Sequence, residues 1–378
     1  MDNTREYRNI FSEIGLTEEQ VTDRINGIFN TMFYGSEDER LYHEAGDHMG
    51  YIEDTGNHDV RTEGMSYGMM ICVQLDKKDE FDCLWKWVMS HMLLDRGPDA
   101  GYFAWSCAAD GKKNAYGPAP DGEEFFAMAL FFASRRWGNG EGIFDYSKEA
   151  RRILRECLHK GEDGQPGFPM WEHSNHLIKF IPECDWSDPS YHIPHFYELF
   201  SLWSDEEDRP FWRMAAEASR KYLKKACDSS TGLSPEYAEY DGTPWRRNDM
   251  RFGGRHDWFY SDAYRTAANI ALDHSWFGKD RWEKDEAEKI QKFFCETVKN
   301  NDRGIYDPDG TVIEGKALHP VGLMATIAQA SLASDGKYAA RCVKQLWETP
   351  LRNGSRRYYD NCLYMFAYLA LSGNYRIW

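Results

Sequence analysis

Apolar residues recur at helical spacing from one end of the chain to the other, with polar positions on the opposite faces. In the first such segment Val21, Ile25, Ile28, Phe29 and Met32 share one face. Thr17-Glu18-Glu19-Gln20 supplies a capping-box start, and Gly35 stands just past the end. The same pattern predicts twelve helices, at approximately 17–33, 63–75, 80–94, 123–136, 147–159, 195–203, 208–226, 261–273, 284–298, 320–333, 336–348 and 360–371. Connections before the even-numbered helices are long; most of those before the odd-numbered ones are short.

Helix character alternates in step. Odd members, such as the one opening Asp208-Arg209-Pro210-Phe211-Trp212-Arg213, carry a charged face. Even members, such as Ala127-Met128-Ala129-Leu130-Phe131-Phe132-Ala133 and Leu363-Tyr364-Met365-Phe366-Ala367-Tyr368-Leu369, are apolar nearly all round, as expected of helices buried on most sides. Six inner helices within six outer ones, joined as antiparallel pairs, make an all-α fold, an (α/α)6 barrel. The alternatives are an irregular bundle and an open solenoid, but the pairs show no sequence repeat of the solenoid kind. No Pro/Ser-rich linker or low-complexity tract divides the chain, so residues 1–378 are expected to form one domain.

In such a barrel the long connections emerge on one face, at the N-termini of the inner helices, and loops on a rigid frame are where sites are built. The residues gathered there are Asp59-Val60-Arg61-Thr62-Glu63-Gly64 before the second helix, Pro120-Asp121-Gly122-Glu123-Glu124 at the fourth and Asp188-Pro189-Ser190-Tyr191-His192 before the sixth. Trp258-Phe259-Tyr260-Ser261-Asp262-Ala263-Tyr264-Arg265 opens the eighth, Leu318-His319-Pro320 the tenth and Arg356-Arg357-Tyr358-Tyr359-Asp360 the twelfth.

Composition narrows the partners. The 378 residues are 42% hydrophobic and 28% charged, ordinary for a globular chain. Aromatic residues are plentiful, 14 Trp, 22 Tyr and 21 Phe, which suggests a ring-lined groove as well as a core. A net charge of −17 repels phosphate backbones and anionic lipid, so neither nucleic acid nor membrane is an expected partner. The polar start, Met1-Asp2-Asn3-Thr4-Arg5-Glu6-Tyr7, lacks a secretory apolar run. Nine cysteines without a C-x-x-C pair fit reduced thiols, and together these features lead to an expected cytoplasmic location with no metal and no cofactor.

Each carboxylate at a helix start is explained singly by capping and by the helix dipole. Glu63, Asp121 and Asp262 are different as a set, because separate inner helices aim them at one mouth amid Trp105, Tyr191, Trp258 and Tyr264. Paired carboxyls between aromatic platforms suit glycosidic cleavage, which needs one protonated carboxyl for the leaving oxygen and one carboxylate to activate water or attack the anomeric carbon. Glu63 suits the acid role. A helix N-terminus lowers a carboxyl pKa, so burial or a neighbouring charge must raise it, and Asp121 is the candidate neighbour.

These segments resemble the family 8 glycoside hydrolases over nearly the whole chain, and within them the exo-acting, reducing-end xylose-releasing branch. Arg61-Thr62-Glu63-Gly64-Met65-Ser66-Tyr67-Gly68-Met69 is similar to the family's acid-bearing segment, Ala119-Pro120-Asp121-Gly122 to the one whose Asp binds the sugar beside the scissile bond, and Ser261-Asp262-Ala263-Tyr264-Arg265 to the one bearing the general base. Thr62 and Ser261 stand where the wider family often has Ser and Tyr. Tyr191 matches a Tyr that helps hold the nucleophilic water. Leu318-His319-Pro320 resembles a segment that closes the cleft beyond the first aglycone subsite; on its own residues, His319 reads as a packed polar residue in a turn.

The resemblance implies removal of xylose from the reducing end of β-1,4-xylo-oligosaccharides with inversion, the two carboxyls standing about 6.5–9.5 Å apart. It implies substrate contacts for Asp121, Trp105, Arg61, Arg265, His319, Tyr264 and Tyr358. Arg61 and Arg265 either orient the carboxylates or neutralise them, and Trp105 either stacks on a sugar or fills the mouth. An endo-acting β-1,4-glycanase of the same fold and a non-catalytic sugar-binding protein are the competing readings. His192-Ile193-Pro194-His195 offers metal-ligand types at a spacing unsuited to a helical metal site. The segment from Trp245 to His256 is a basic cluster expected as a solvated loop over the opening.

Overall fold

The structure is a computed structural model describing residues 5–298 and 304–378. The first four residues, and the 299–303 stretch of the connection expected between 298 and 320, lie outside the described residues. A short helix, α1 (Ile10–Glu13), precedes the barrel. The outer helices are α2 (Glu18–Tyr34), α4 (Lys78–Trp87), α6 (Tyr146–His159), α8 (Arg209–Ala226), α10 (Trp282–Lys292) and α12 (Ala339–Glu348). The inner ones are α3 (Thr62–Leu75), α5 (Pro120–Trp137), α7 (Pro194–Trp203), α9 (Tyr264–Trp276), α11 (Pro320–Gln329) and α13 (Arg357–Leu371).

The inner helices close a ring: α3 packs on α5, α5 on α7, α7 on α9, α9 on α11, α11 on α13, and α13 on α3 again. This is the (α/α)6 barrel, and the alternation of helix character explains it. Every residue of α13 is buried, whereas α6 buries one face, through residues such as Ile153, Leu154 and Cys157. The capping box at α2 forms as its sequence requires, Gln20 N–H donating to Thr17 Oγ1 at 3.2 Å and Thr17 N–H to Gln20 Oε1 at 2.9 Å.

Several boundaries differ from the pattern, each for a local reason. Pro120 sits at the first helical turn of α5, where its missing N–H costs nothing, so that helix starts earlier than expected. The helices expected at 80–94 and 284–298 end as α-helix at Trp87 and Lys292 and continue as π-helical turns, Val88–Met92 and Phe293–Thr297. The one expected at 261–273 starts at Tyr264 and runs to Trp276. Ser261 has φ +27°, a conformation a side chain resists, and Ser261–Ala263 form a 3-10 turn instead.

Four antiparallel ribbons lie in the long connections before inner helices. They pair β1 (Tyr42–Glu44) with β2 (Gly50–Ile52), β3 (Val60–Arg61) with β4 (Ser106–Cys107), β5 (Trp171–Glu172) with β6 (Leu177–Ile178), and β7 (Ile305–Tyr306) with β8 (Val312–Ile313). Strands of two or three residues are too short to show alternation in sequence. Among the described residues no helix is long and apolar enough to cross a membrane.

Candidate active site

Glu63 stands in the first turn of α3, directly after β3. The ribbon fixes this start: Arg61 pairs with Ser106, and Thr62 N–H donates to the Trp105 carbonyl at 3.0 Å. Asp121 stands in the first turn of α5 beside it. The two helix starts approach so closely that a Cβ on Gly122 would lie 2.5 Å from Thr62 Cβ, so only glycine fits there. Asp262 occupies the strained 3-10 turn before α9, a kind of strain that clusters at functional sites.

One buried guanidinium joins them. Arg265 Nη1 donates to Glu63 Oε2 at 3.1 Å, Asp121 Oδ2 at 2.9 Å and the Tyr67 hydroxyl at 2.9 Å. Its Nη2 lies 3.6 Å from Asp262 Oδ1 and 4.0 Å from Asp188 Oδ2. Four carboxyls around one cation leave an excess of negative charge that burial makes costly, and this raises the pKa of the enclosed ones. Burial is the leading cause that pushes the Glu63 carboxyl up to about 7; Arg265 opposes it, the charges of Asp121 and Asp262 add to it, and a hydrogen bond from Tyr358 pulls it down. Burial also raises Asp121, and raises Asp188 well above the carboxylate range. The Glu63 side chain is 16% exposed and that of Asp262 34%, so Asp262 is the partner open to water.

Glu63, Asp262 and Arg61 form the boundary between two spaces. On one side is a cleft of about 450 Å³ lined by Trp105, Asp121, Phe180, Tyr191 and Phe252. On the other is a smaller pocket of about 200 Å³ walled by Leu318, His319, Arg356, Tyr358 and Tyr359. Trp105 is 38% exposed at the cleft, with the Arg61 guanidinium 5.3 Å from its ring centre. Arg61 itself bonds Asp59 at 3.0 Å and Asp54 at 3.2 Å rather than any of the three site carboxylates. Tyr191 ends a 3-10 turn, Pro189–Tyr191, with its ring 5.5 Å from the Arg265 guanidinium. Tyr358 donates to Glu63 Oε1 at 2.8 Å, and His319 Nδ1 lies 3.1 Å from Asp360 Oδ2. Glu63, its carboxyl pushed up to about 7, and the more exposed Asp262 line the same cleft, a pair of the kind that can donate a proton to a leaving oxygen and activate water.

A family model described as glycosyl hydrolases family 8 matches residues 44–373. The chain belongs to this family. It is 58% identical over 377 residues to the reducing end xylose-releasing exo-oligoxylanase of Halalkalibacterium halodurans, covering 99% of this chain and 95% of that protein. The enzyme of the same description from Bifidobacterium adolescentis is 52% identical, covering 97% and 96%. The solved structure of Rex8A from Paenibacillus barcinonensis complexed with xylose aligns with a TM-score of 0.95 at 56% identity, over 98% of this chain and 97% of that one.

Two aromatic residues expected at the mouth of this family 8 hydrolase line neither space. Tyr264 is 0% exposed, packed on Phe259 and Tyr260, and lines neither space. It falls on the core side of α9 because Ser261–Ala263 form a separate turn before the helix begins. Trp258 is tied by its indole N–H to Glu236 Oε2 at 2.7 Å, outside both linings. His192 has both ring nitrogens engaged, by the Ser187 and Ser219 hydroxyls at 2.9 Å each, and His195 packs edge-on against Trp276. Among the described residues no group of three His, Cys, Asp or Glu is placed to hold a metal ion.

The basic loop reaches the cleft through Arg251 and Phe252, while Arg246, Arg247 and Arg255 are paired with acidic neighbours. Residues of the family 8 site that sequence reasoning passed over include Tyr359, Arg356 and Asp188. Tyr359 adjoins Tyr358, Arg356 lies two residues before it, and Asp188 opens the Tyr191 turn, so proximity to a chosen residue is the available signal. Phe180 had none: it reaches the cleft from an irregular connection after β6.

Proposed function

We propose that this chain hydrolyses the last linkage of β-1,4-xylo-oligosaccharides, releasing xylose from the reducing end with inversion. The observation that carries the reading is the position of Glu63 and Asp262 at the junction between an extended cleft and a pocket of about 200 Å³. The cleft takes the non-reducing part of the chain, and the pocket takes one pyranose and stops. The relatives' described activity agrees with this division.

In this mechanism protonated Glu63 gives its proton to the glycosidic oxygen as the bond to the anomeric carbon breaks. Asp262 takes a proton from a water that attacks that carbon from the opposite face, with Tyr191 helping to hold the water. One water is consumed, and a new reducing end of inverted configuration forms. Asp121 binds the sugar on the cleft side of the bond, Trp105 and Arg61 form a platform beside it, and Arg265 holds the carboxyls in register. Tyr358 and His319 contact the departing xylose.

The test is digestion of xylohexaose carrying ¹³C in its reducing-end ring. Labelled free xylose as the sole early labelled product supports the reading. Early labelled xylobiose or xylotriose would instead identify an endo-acting glycanase, and binding without any cleavage a sugar-binding protein. The proposal extends to a cytoplasmic setting, supported by the scatter of nine cysteines without a C-x-x-C pair, which cell fractionation tests.

A further inference from the structure

The Leu318–His319 wall of the small pocket is bonded to a carboxylate that does not itself line the pocket. Asp360, in the first turn of α13, is 0% exposed and does not line the pocket. Its Oδ1 accepts from Gly322 N–H, in the first turn of α11, at 2.6 Å. Its Oδ2 accepts from Arg352 Nη1 and lies 3.1 Å from His319 Nδ1. Arg352 Nη1 also donates to the Leu318 carbonyl at 2.5 Å. The Arg352 backbone is fixed in turn by Asn361, whose side-chain amide accepts from Arg352 N–H at 2.9 Å and donates to Arg352 O at 3.0 Å. Asp360 thus secures the 318–320 segment directly at His319, through Arg352 at Leu318, and at the start of the helix that follows.

The arrangement also sets a tautomer. Asp360 accepts from Arg352 and Gly322 and turns the same Oδ2 to His319 Nδ1, so a neutral His319 carries its proton on Nδ1 and donates it to Asp360. Nε2 is then left with a lone pair, and His319 lines the pocket. The ring is held from a second side by Tyr359, edge-on at 4.8 Å between centres.

We propose that Asp360 is the positioning residue of the reducing-end stop: it fixes His319 in the Nδ1–H form, so that Nε2 accepts a hydroxyl hydrogen from the departing sugar and the cleft stays one sugar deep on that side. The inference rests on the proposed exo-activity for its substrate, but the anchoring of His319 is measurable without it.

The experiment compares wild type, Asp360→Asn, His319→Ala and the double variant on xylotriose, with thermal melting of each as the check on folding. Asp360→Asn is expected to raise KM about tenfold, the effect of one well-placed hydrogen bond, with kcat changed much less. Because Asp360 acts through His319, the same change in the His319→Ala background should add almost nothing. A folded Asp360→Asn protein with wild-type KM, or an effect that adds in full to that of His319→Ala, overturns the proposal. Should Asp360→Asn not fold, ¹⁵N spectra of the wild-type histidines, with His319 assigned by its loss in His319→Ala, decide it: a protonated Nδ1 is expected, and a neutral ring protonated at Nε2 overturns it. If wild type releases no xylose, the functional reading fails, and the tautomer measurement still judges the anchoring.

Discussion

The Tyr358 hydroxyl donates to Glu63 Oε1 at 2.8 Å, so the residue named as proton donor is itself held by a hydrogen-bond donor. That bond favours the ionised carboxyl and pulls the Glu63 pKa down, against burial, which leads in raising it to about 7. A general acid works only while protonated, so kcat/KM should fall as pH rises through about 7. In Tyr358→Phe the lowering contribution is gone and the alkaline limb should move to higher pH. In Asp121→Asn a raising charge is gone and the limb should move lower. Profiles of both variants on xylotriose check the signs; shifts in the same direction would contradict this electrostatic account of Glu63.

Gly64 is required by that same tyrosine. A Cβ at position 64 would lie 2.7 Å from Tyr358 Cε2 and from its hydroxyl oxygen. Gly64→Ala should therefore displace Tyr358 and misalign Glu63, lowering kcat by about 10²-fold, the cost of a small misplacement at the chemistry. Steady-state kinetics on a variant shown by circular dichroism to be folded would measure it.

Arg265 is the cation that four carboxyls share, among them Asp121 at 2.9 Å and Glu63 at 3.1 Å. Arg265→Met should leave buried carboxylates without their cation and cost about 3–5 kcal/mol of stability at neutral pH. Part of that loss should return on acidification as the carboxyls become protonated. Urea unfolding at two pH values measures both effects.

Glu63→Gln and Asp262→Asn should each cut kcat by about 10²–10⁴-fold while leaving the affinity for xylotriose within a few-fold of wild type. Calorimetric titration beside the rate assay separates the two quantities. Near-normal turnover in both variants would remove these residues from the mechanism.

Much of this fold and site is legible in the sequence. The barrel follows from the difference between helices like α6, with one buried face, and helices like α13, buried throughout, because that contrast is written in composition alone. Glu63, Asp121 and Asp262 were found because each opens an inner helix. What the sequence hid depends on backbone detail or distant partners. The positive φ of Ser261 separates Asp262 from α9 and leaves Tyr264 in the core, reversing the role expected for that tyrosine. Asp360 reads as one more acidic residue at a helix start, since His319 is brought to it by the packing of α11 on α13 and Arg352 by the turn of the connection before α13.

The most direct test of the central claim is the configuration of the sugar left behind. Xylotriose labelled with ¹³C in its reducing-end ring would be followed by NMR from the first seconds of reaction, before mutarotation. Glu63 and Asp262 acting as acid and base on opposite faces predict labelled xylose together with unlabelled xylobiose that is initially the α-anomer. Unlabelled xylobiose appearing first as the β-anomer, or label retained in xylobiose, would contradict it.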